Sequence, residues 1–352
     1  MTGIAVLGAG LFAKEAHLPA LVELQANLLA VYSRSVSSAQ SIVNAAAALK
    51  APTSHIDVYA DELASENRGL SALLKRQDIG AVVVALPILV QPDVVRQCLT
   101  AGKHVLCEKP MAKNVQTAVQ LIADYEKNFR PRGLVLSVAE QFRYDRTFTR
   151  ARELLASGSI GKLNHVHARI WGNIQPGDNK WYETEWRKNP EYQGGFILDG
   201  GVHFVALIRY VSGQEIVKTL SMCRQTYAHL PPLDTVNAAL QFDNGASGSL
   251  SICFASCKGT FEFIFVGEQG SITVSGVEDA EDCQRIVLEK ADGTKEIDEV
   301  IVGKGVLEEV KAFIAAAAGG KHDAKAGARE ALADIAVVES ICSGGGQVQA
   351  LL

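Results

Sequence analysis

Short apolar runs alternate with amphipathic stretches over the first part of the chain. Between Gly3 and about Ser137 the runs are IAVLG, LLAVYS, AVVVALP, HVLC and LVLSV. Continuous runs of valine, isoleucine and leucine indicate strands that are buried on both faces, and the stretches between them have the period of helices. The pattern therefore predicts a doubly wound parallel sheet of the α/β class, with helices covering it.

The pattern changes after Arg143. A helix predicted around Thr149 to Ser157 ends at the turn GSIGK, and strands of alternating polar and apolar residues such as NHVHARIWG begin there. DNG and EQGS are typical of hairpin turns between later strands, and a long helical tail is predicted from Gly305 to about Ser343. These features predict an α+β domain with a large, mostly antiparallel sheet.

The length of 352 residues exceeds the size at which a single hydrophobic core usually keeps growing. We therefore predict two domains, an N-terminal α/β domain over residues 1–125 and a C-terminal α+β domain over residues 126–352. Hydrophobic residues make up 48% and charged residues 21% of the chain, which is ordinary for a globular protein. Both segments are expected to fold.

Charge and cysteine content narrow the expected partners. The net charge is -5 and the lysines and arginines are scattered, so a small molecule is expected, and neither nucleic acid nor an anionic membrane is. The seven cysteines form no CxxC pair, which argues against disulfides and a zinc site, and no metal is expected. Without a charged-then-apolar leader or a run of ~20 apolar residues, the expected compartment is the cytoplasm.

The segment GAGLFA directly follows the first predicted strand and opens a predicted helix. Gly8 would make the tight turn, Gly10 would let the backbone approach a pyrophosphate, and Ala13 would allow close packing of helix on strand. Leu11 and Phe12 would begin the helix, whose free N–H groups bind phosphates. The alternative is an ordinary tight turn, but the context of strand, turn and helix favours a dinucleotide site.

The end of the second predicted strand indicates which dinucleotide binds. NAD-dependent enzymes usually carry Asp or Glu there, about 20 residues after the glycines, to bind the ribose hydroxyl. This chain instead has Ser33, Arg34 and Ser35. A guanidinium beside hydroxyl groups suits a 2′-phosphate, so NADP(H) is the predicted cofactor. The alternative is that Arg34 is an ordinary solvated loop residue.

Two further segments follow predicted strands. ALPILVQP places Leu86 and Pro87, and GKHVLCEKPMA places Glu108 and Lys109, at the carboxyl ends of strands, where doubly wound sheets bind their ligands. These four residues are therefore expected at the cofactor. An ammonium there could stabilise the negative charge that hydride transfer builds on a carbonyl oxygen, and could donate a proton. The alternative for Lys109 is a solvated surface lysine.

Two segments together resemble one enzyme family. GKHVLCEKPMA is similar to a signature of the Gfo/Idh/MocA oxidoreductases, named after glucose–fructose oxidoreductase and inositol dehydrogenase, and EWRKNPEYQGGFILDGGVHFVALIRYVSG is similar to a second family segment. The resemblance spans essentially the whole chain. It implies a Rossmann domain, then a domain for substrate binding and oligomerisation, and a catalytic set of Lys109, Asp199 and His203. Asp199 and His203 are four apart, so both leave one face of a predicted helix.

The resemblance also implies further contacts. Gln141 is expected at the cofactor, and four residues are expected around the substrate: Arg143, Trp181, Trp186 and Arg187. Each of the four could equally pack between the domains. The chain departs from many relatives at Gln91, where they have histidine, and at Ala206, where they have aspartate. The substrate therefore cannot be copied from the polyol dehydrogenases.

The predicted function is NADP(H)-dependent hydride transfer between the nicotinamide and a sugar-like alcohol or carbonyl compound. Carbonyl reduction is favoured because cells generally hold the NADP pool reduced. One alternative is a non-enzymatic dinucleotide sensor of the same fold. Others are an NAD-dependent polyol dehydrogenase and a family member with different chemistry, such as a bilin or dihydrodiol reductase or a glycosidase that holds NAD.

Two predictions concern the second sheet. Family members often associate through the open face of this sheet, so a homodimer or homotetramer is predicted, with VNAALQF and SGSLSICFA offering an apolar face. His165 and His167 lie two apart on a predicted strand and therefore share a face. Without a third ligand in view, they are interpreted as part of a polar sheet face rather than a metal site.

Overall fold

The structure is a computed structural model that describes residues 2–278 and 280–348, apart from the side chains of residues 281 and 282. The chain divides into two compact units. The first unit comprises Met1–Ala112, Gln116–Gln141 and Val306–Ala331, and the second comprises Lys113–Val115, Phe142–Gly305 and Leu332–Leu352. This division differs from the predicted boundary at residue 125, because the last strand of the first sheet and a C-terminal helix both belong to the first unit.

The first unit is built on a sheet of six parallel strands. The strands are β1 Gly3–Leu7, β2 Leu28–Ser33, β3 Asp57–Ala60, β4 Ile79–Val84, β5 His104–Glu108 and β6 Leu136–Ala139. Their order is β3-β2-β1-β4-β5-β6, which reverses direction between β1 and β4. This order is that of a Rossmann sheet, whose ligands bind outside the carboxyl ends of the strands at the reversal. The predicted parallel sheet is confirmed.

Helices connect these strands. They are α1 Leu18–Glu23, α2 Val36–Ala48, α3 Leu70–Leu74, α4 Gln91–Thr100 and α5 Val115–Asp124. The 3₁₀ and π-helical segments of the chain are Ala13–His17, Asp61–Glu66, Tyr125–Phe129, Arg130–Arg132, Gln141–Arg143 and Ala324–Ala326. One buried apolar cluster joins α1 and α2 to the sheet through residues such as Leu18, Leu21, Ile42 and Val83. The long apolar runs of the sequence therefore form strands covered by helices, as their composition predicts.

The second unit is built on a sheet of nine strands. They are β7 Leu163–Asn173, β8 Ile216–Arg224, β9 Thr235–Phe242, β10 Ser247–Cys253, β11 Ala255–Gly267, β12 Gly270–Val277, β13 Ala280–Lys290, β14 Lys295–Val302 and β15 Gly345–Gln347. Their order is β14-β13-β12-β11-β7-β10-β9-β8-β15. Neighbouring strands are antiparallel except β7 and β10, which are parallel. The predicted mostly antiparallel sheet is confirmed, and the DNG and EQGS segments join β9 to β10 and β11 to β12.

The helices of this unit include α6 Arg146–Ala156, α7 Glu185–Lys188 and α8 Gly195–Ser212. α8 has the length and mean hydropathy, 1.2, of a segment that could cross a membrane, but 83% of it is buried within the protein. It contacts β7 and α6. Its apolar composition is therefore that of a central core helix, and α8 is the only such candidate in the described part of the chain.

The prediction that β9 and β10 present an apolar open face is wrong. Val236, Leu240 and Ile252 are buried in the core of the unit, and the side chains that alternate with them outward include Asn237 and Ser249. A strand places successive side chains on opposite faces, so burying the apolar set leaves a polar set outside. The large apolar side chains exposed on this sheet lie elsewhere, mainly near its two edges: Val217, Leu220 and Met222 on β8, Val300 and Val302 on β14.

The C-terminal tail forms two helices instead of one. α9 spans Gly305–Ala317 and α10 spans Ala328–Cys342. At the end of α9, the N–H groups of Gly319 and Gly320 bond back to the carbonyls of Ala316 and Ala315, and Gly319 has a φ of +95°. This glycine-ended pattern stops a helix, because few other residues adopt positive φ without strain.

Candidate active site

The glycine turn after β1 has the shape that a dinucleotide requires. Gly8 has a φ of +113°, and a Cβ there would lie 2.1 Å from the carbonyl oxygen of Ala85. Gly10 differs, because a Cβ there would meet nothing within 4 Å. The chain turns helical at Leu11 and Phe12 directly after this open position. A close turn, an open approach and a helix start fit a bound pyrophosphate.

Leu86 and Pro87 lie in the loop after β4, beside this turn. The N–H of Ala85 donates to the carbonyl of Leu7 at 2.8 Å, and the Leu86 side chain lies 3.3 Å from the Cβ position of Gly8. Both residues are partly exposed. The structure therefore brings the glycine turn and the Leu86–Pro87 loop together on the two sides of the sheet reversal.

Arg34 is exposed just beyond β2, next to the partly exposed Ser33. Among the described residues it forms no hydrogen bond or ion pair. The nearby Asp61 accepts a hydrogen bond from the hydroxyl of Tyr32 at 2.6 Å. Burial, and then this bond to Asp61, raise the pKa of Tyr32, while Arg34 acts in the opposite direction. The guanidinium is therefore an available cation at the place where an NAD enzyme usually carries a carboxylate.

The turn that carries Lys109 is anchored by buried neighbours. His17 is fully buried, and its Nε2 lies 2.6 Å from Oε1 of Glu108. The backbone N–H of Lys109 donates to Oε2 of the same carboxylate at 3.1 Å. Gln91 donates from Nε2 to the carbonyl oxygens of Glu108, at 2.5 Å, and Pro110, at 3.0 Å. The Lys109–Pro110 peptide is cis, and Lys109 itself is partly exposed.

Gln91 and His17 both hold the turn that carries Lys109, but the sequence analysis treated them differently. Gln91 appeared in the sequence only as a departure from relatives, and His17 did not stand out at all. Both act on the strand-end turn from the first residue of α4 and the last residue of a π-helical segment. A histidine or glutamine within an amphipathic helix has no signature of its own, so these contacts required the fold.

Glu309 on α9 lies in the same unit and was also missed. Its side chain is buried, with 2% of the residue exposed, and it lies near Glu108 and Glu140. Burial, and then these two carboxylates, raise the pKa of Glu309 well above its usual value. Neither of its carboxyl oxygens has a hydrogen-bond partner among the described residues. In the sequence, the position of Glu309 four residues before the buried Phe313 was the available signal that it shares the buried helix face.

Asp199 and His203 lie one helical turn apart on α8, as predicted. Arg187 donates from Nε to Oδ2 of Asp199 at 2.8 Å, with only 15% and 10% of the two side chains exposed. The His203 ring centroid lies 4.7 Å from that of Phe142. Tyr192 is a further neighbour of this group, because burial, and then the Asp199 carboxylate, raise its pKa. No feature of the sequence distinguishes Tyr192.

The two predicted tryptophans flank Arg187. Its guanidinium lies 4.0 Å from the ring centroid of Trp186 and 5.6 Å from that of Trp181. Trp181 also packs against a small apolar cluster: Ile174, Tyr182, Phe196 and Leu230. In this arrangement Arg187 forms an ion pair with Asp199, and the indoles hold the guanidinium in place through cation–π contacts.

The structure does not support Arg143 as a substrate contact. Only 2% of this residue is exposed, and its Nη2 lies 2.5 Å from Oδ2 of the buried Asp334. Asp334 also pairs with Arg209, whose Nη1 lies 2.6 Å from the other carboxylate oxygen. Arg143 therefore belongs to a buried ion-pair network. A guanidinium in the sequence carries no mark that distinguishes this role from ligand binding.

Gln141 ends the first unit, just after Glu140. Its side-chain oxygen is buried without a hydrogen-bond partner among the described residues.

On β7, His165 and His167 bond to Ser247 and Ser249 of the neighbouring strand at 3.0 and 2.8 Å. The described residues contain no group of three His, Cys, Asp or Glu side chains arranged to hold a metal ion.

Comparisons with known proteins identify the family. Residues 2–133 match the oxidoreductase family with an NAD-binding Rossmann fold, and residues 148–273 match the GFO/IDH/MocA C-terminal domain. The chain is 36% identical over 346 residues to dehydrogenase FPY6 of Fusarium mangiferae, covering 97% of this chain and 95% of that protein.

Solved structures share the whole architecture. An oxidoreductase from Thermotoga maritima superposes with a TM-score of 0.84 at 27% identity, covering 100% of this chain and 99% of that one. KijD10, a 3-ketoreductase from Actinomadura kijaniata solved with NADP and TDP-benzene, superposes with a TM-score of 0.76 at 23% identity, covering 97% of each chain. With both halves of the chain matched, this protein belongs to the Gfo/Idh/MocA family of oxidoreductases.

Proposed function

We propose that this protein is an NADP(H)-dependent oxidoreductase that transfers a hydride between the nicotinamide and a sugar-like alcohol or carbonyl compound, and that it works as a carbonyl reductase. The observation that carries the proposal lies within the first unit. The glycine turn follows β1 and Lys109 follows β5, so both are at the carboxyl edge of one sheet, on the two sides of its reversal. That edge is where doubly wound sheets bind dinucleotides.

The choice of NADP(H) rests on Arg34. This exposed guanidinium, which has no ion pair among the described residues, stands where a ribose-binding carboxylate would favour NAD. Guanidinium groups bind phosphates through paired, charge-assisted hydrogen bonds, and a neutral ribose hydroxyl gains less from them. The fold shared with KijD10, which was solved with NADP, agrees with this choice.

A bound dihydronicotinamide would supply the hydride, and the chain would supply the charge and the proton. Gly8, Gly10 and the helix start at Leu11 would hold the pyrophosphate. The Nζ of Lys109 would stabilise the negative oxygen that develops on the reduced carbonyl. Lys109 or His203 would donate the proton that completes the alcohol, because ammonium and imidazolium groups both act as general acids.

Asp199 takes a positioning role in this proposal. Arg187 holds the carboxylate of Asp199 by a hydrogen bond. Asp199 lies one helical turn before His203, on the same face of α8. A carboxylate fixed in this way can orient the groups around it and stabilise a cation that forms beside it. The proposed substrate is a small molecule, and the proposal requires no metal.

Turnover on a panel of carbonyl compounds tests the function. Keto sugars, nucleotide-linked keto sugars, simple ketones and dicarbonyls are mixed with NADPH, and its absorbance is followed. Wild-type protein should oxidise NADPH with at least one of them. Lys109→Met should lose most turnover while it still binds NADPH. Binding without turnover on any compound would favour the sensor, and turnover confined to NAD and polyols would favour the dehydrogenase.

We further propose association of identical chains through the open face of the nine-stranded sheet. The exposed apolar side chains Leu220 and Met222 on β8 support this proposal, with 72% and 76% of each residue exposed. Leu220→Glu combined with Met222→Glu should convert a dimer or tetramer into monomers in light-scattering chromatography. Wild-type protein that elutes as a monomer at tens of micromolar would contradict the proposal.

A further inference from the structure

A second charged group, Glu62, lies on the 3₁₀ segment that follows β3, the strand next to β2. Ser33 at the end of β2 pairs with Ala60 at the end of β3, so the 3₁₀ segment Asp61–Glu66 begins next to the loop that carries Arg34. From this segment Glu62 reaches α2. Its Oε2 accepts a hydrogen bond from the backbone N–H of Val36 at 2.8 Å.

Val36 is the first residue of α2, a helix of 13 residues. The first N–H groups of a helix have no partner within the helix, and the helix dipole gives them a partial positive charge. The capping residue Ser35 already accepts from the N–H of Ser38 at 3.2 Å. Glu62 thus occupies a donor that could otherwise bind an anion at this end of the helix.

The two carboxylates near Arg34 have hydrogen-bond partners, whereas Arg34 has none among the described residues. Asp61 accepts from the hydroxyl of Tyr32, and Glu62 accepts from Val36, so both carboxylates have hydrogen-bond donors of their own. Arg34 has no ion pair within the described part of the chain. A 2′-phosphate that binds Arg34 would arrive close to the Glu62 carboxylate, because that carboxylate is bonded to Val36, two residues further along the chain. Two anions in such proximity repel each other, whereas a neutral 2′-hydroxyl is not repelled and can donate a hydrogen bond.

We infer that Glu62 is a specificity-determining residue, which limits the preference for NADP(H) over NAD(H) by holding a carboxylate at the start of α2 beside Arg34. The inference rests on the proposed binding of the 2′-phosphate at Arg34. Arg34 favours the phosphate and Glu62 opposes it. The preference of the wild-type protein is the balance of the two.

The test is a calorimetric titration of the full-length protein with NADPH and with NADH. Glu62→Gln removes the charge but keeps an oxygen that can accept from Val36. It should tighten NADPH binding about three- to tenfold at low salt, as expected for removing one exposed like charge, and should not tighten NADH binding. Glu66→Gln is the matched control, because Glu66 is an exposed glutamate on the same 3₁₀ segment, and it should leave both affinities unchanged.

An unchanged or weaker affinity of Glu62→Gln for NADPH would overturn the inference, as would an equal gain in Glu66→Gln. Glu62→Ala provides a second variant, which should also tighten NADPH binding if the charge is what matters. Failure of the proposed cofactor is distinguishable from failure of the inference. Wild-type protein that prefers NADH would refute the former, whereas a preference for NADPH that depends on Arg34 but not on Glu62 refutes the latter alone.

Discussion

Arg187 donates from Nε to Oδ2 of Asp199 at 2.8 Å, and its guanidinium lies over the rings of Trp186 and Trp181. The ion pair is largely shielded from water, so the attraction between its two charges is stronger than in an exposed pair. Arg187 therefore fixes the predicted catalytic carboxylate, and the two indoles fix Arg187. All four residues were predicted at the site from the sequence. The bond of Arg187 to Asp199 and the packing of the two indoles on Arg187 were not.

Arg187→Ala should lower kcat/KM about 10- to 100-fold while the affinity for NADPH changes little. The buried Asp199 would lose its cation and the orientation that it provides, and misplacement of catalytic groups has costs of this size. Steady-state kinetics and NADPH titration measure the two effects. Lys188→Ala is the control, because Lys188 is the next residue and pairs with Glu183 instead. An equal loss in both variants would show that Arg187 has no special role.

Glu309→Gln should make the protein more stable at neutral pH. Burial raises the pKa of Glu309 in the folded protein, whereas an unfolded glutamate has a pKa of about 4.3. Between these two values the folded state holds a proton that the unfolded state has released, so the stability of the wild type falls as pH rises. Glutamine resembles the protonated acid and is neutral at every pH.

Chemical denaturation at several pH values measures this difference. The gap between Glu309→Gln and wild type should be small near pH 4 and should widen with pH, by at most about 1.4 kcal/mol per pH unit. Glu308→Gln is the control on the adjacent, partly exposed residue, which pairs with Lys311. A gap that stays constant from pH 5 to pH 8 would mean that Glu309 is not protonated in the folded state.

Gln91→Leu should disturb the turn that carries Lys109. Leucine has a similar size but cannot donate to the carbonyls of Glu108 and Pro110, which are buried residues. Loss of these bonds should cost about 1–3 kcal/mol of unfolding free energy. The turnover number should fall as well, because Lys109 lies between the two released carbonyls. Gln97→Leu, on the exposed side of the same helix, should change neither quantity.

Arg34→Ala should abolish the preference for NADPH over NADH. Arg34 is exposed, so its attraction for the 2′-phosphate is screened by salt. The ratio of the two affinities in the wild type should therefore shrink as the salt concentration rises. The variant keeps Glu62, so it should bind NADPH no more tightly than NADH at any salt concentration. Calorimetry of both proteins with both cofactors measures this. A preference that survives in Arg34→Ala would place the 2′-phosphate elsewhere.

Much of the architecture could be predicted because it follows from local pattern. Continuous apolar runs marked the parallel strands, and GAGLFA placed the turn, since glycine alone tolerates the positive φ and close approach seen at Gly8. The hairpins at DNG and EQGS were predicted from their turn residues, and Gly245 of DNG has a φ of +86°. The single tail helix was wrong because the break at Gly319 and Gly320 interrupts an alanine-rich pattern only briefly.

The site was predictable only in part, because its residues come together through the fold. His17, Gln91 and Glu309 lie on three different helical segments and converge on one strand end, and nothing in their spacing reveals this. Arg143 shows the reverse error. It adjoins residues that resemble a family pocket, yet it is buried against Asp334. Long-range contacts decide such cases, and a sequence pattern does not contain them.

The proposed hydride transfer is tested most directly with NADPH that carries deuterium at both C4 positions. The wild-type protein is incubated with this cofactor and the carbonyl panel, and the products are analysed by mass spectrometry. We expect an alcohol that carries one deuterium on the former carbonyl carbon, and no such product with Lys109→Met. Wild-type protein that binds the labelled cofactor but delivers no deuterium to any carbonyl would contradict the proposed hydride transfer.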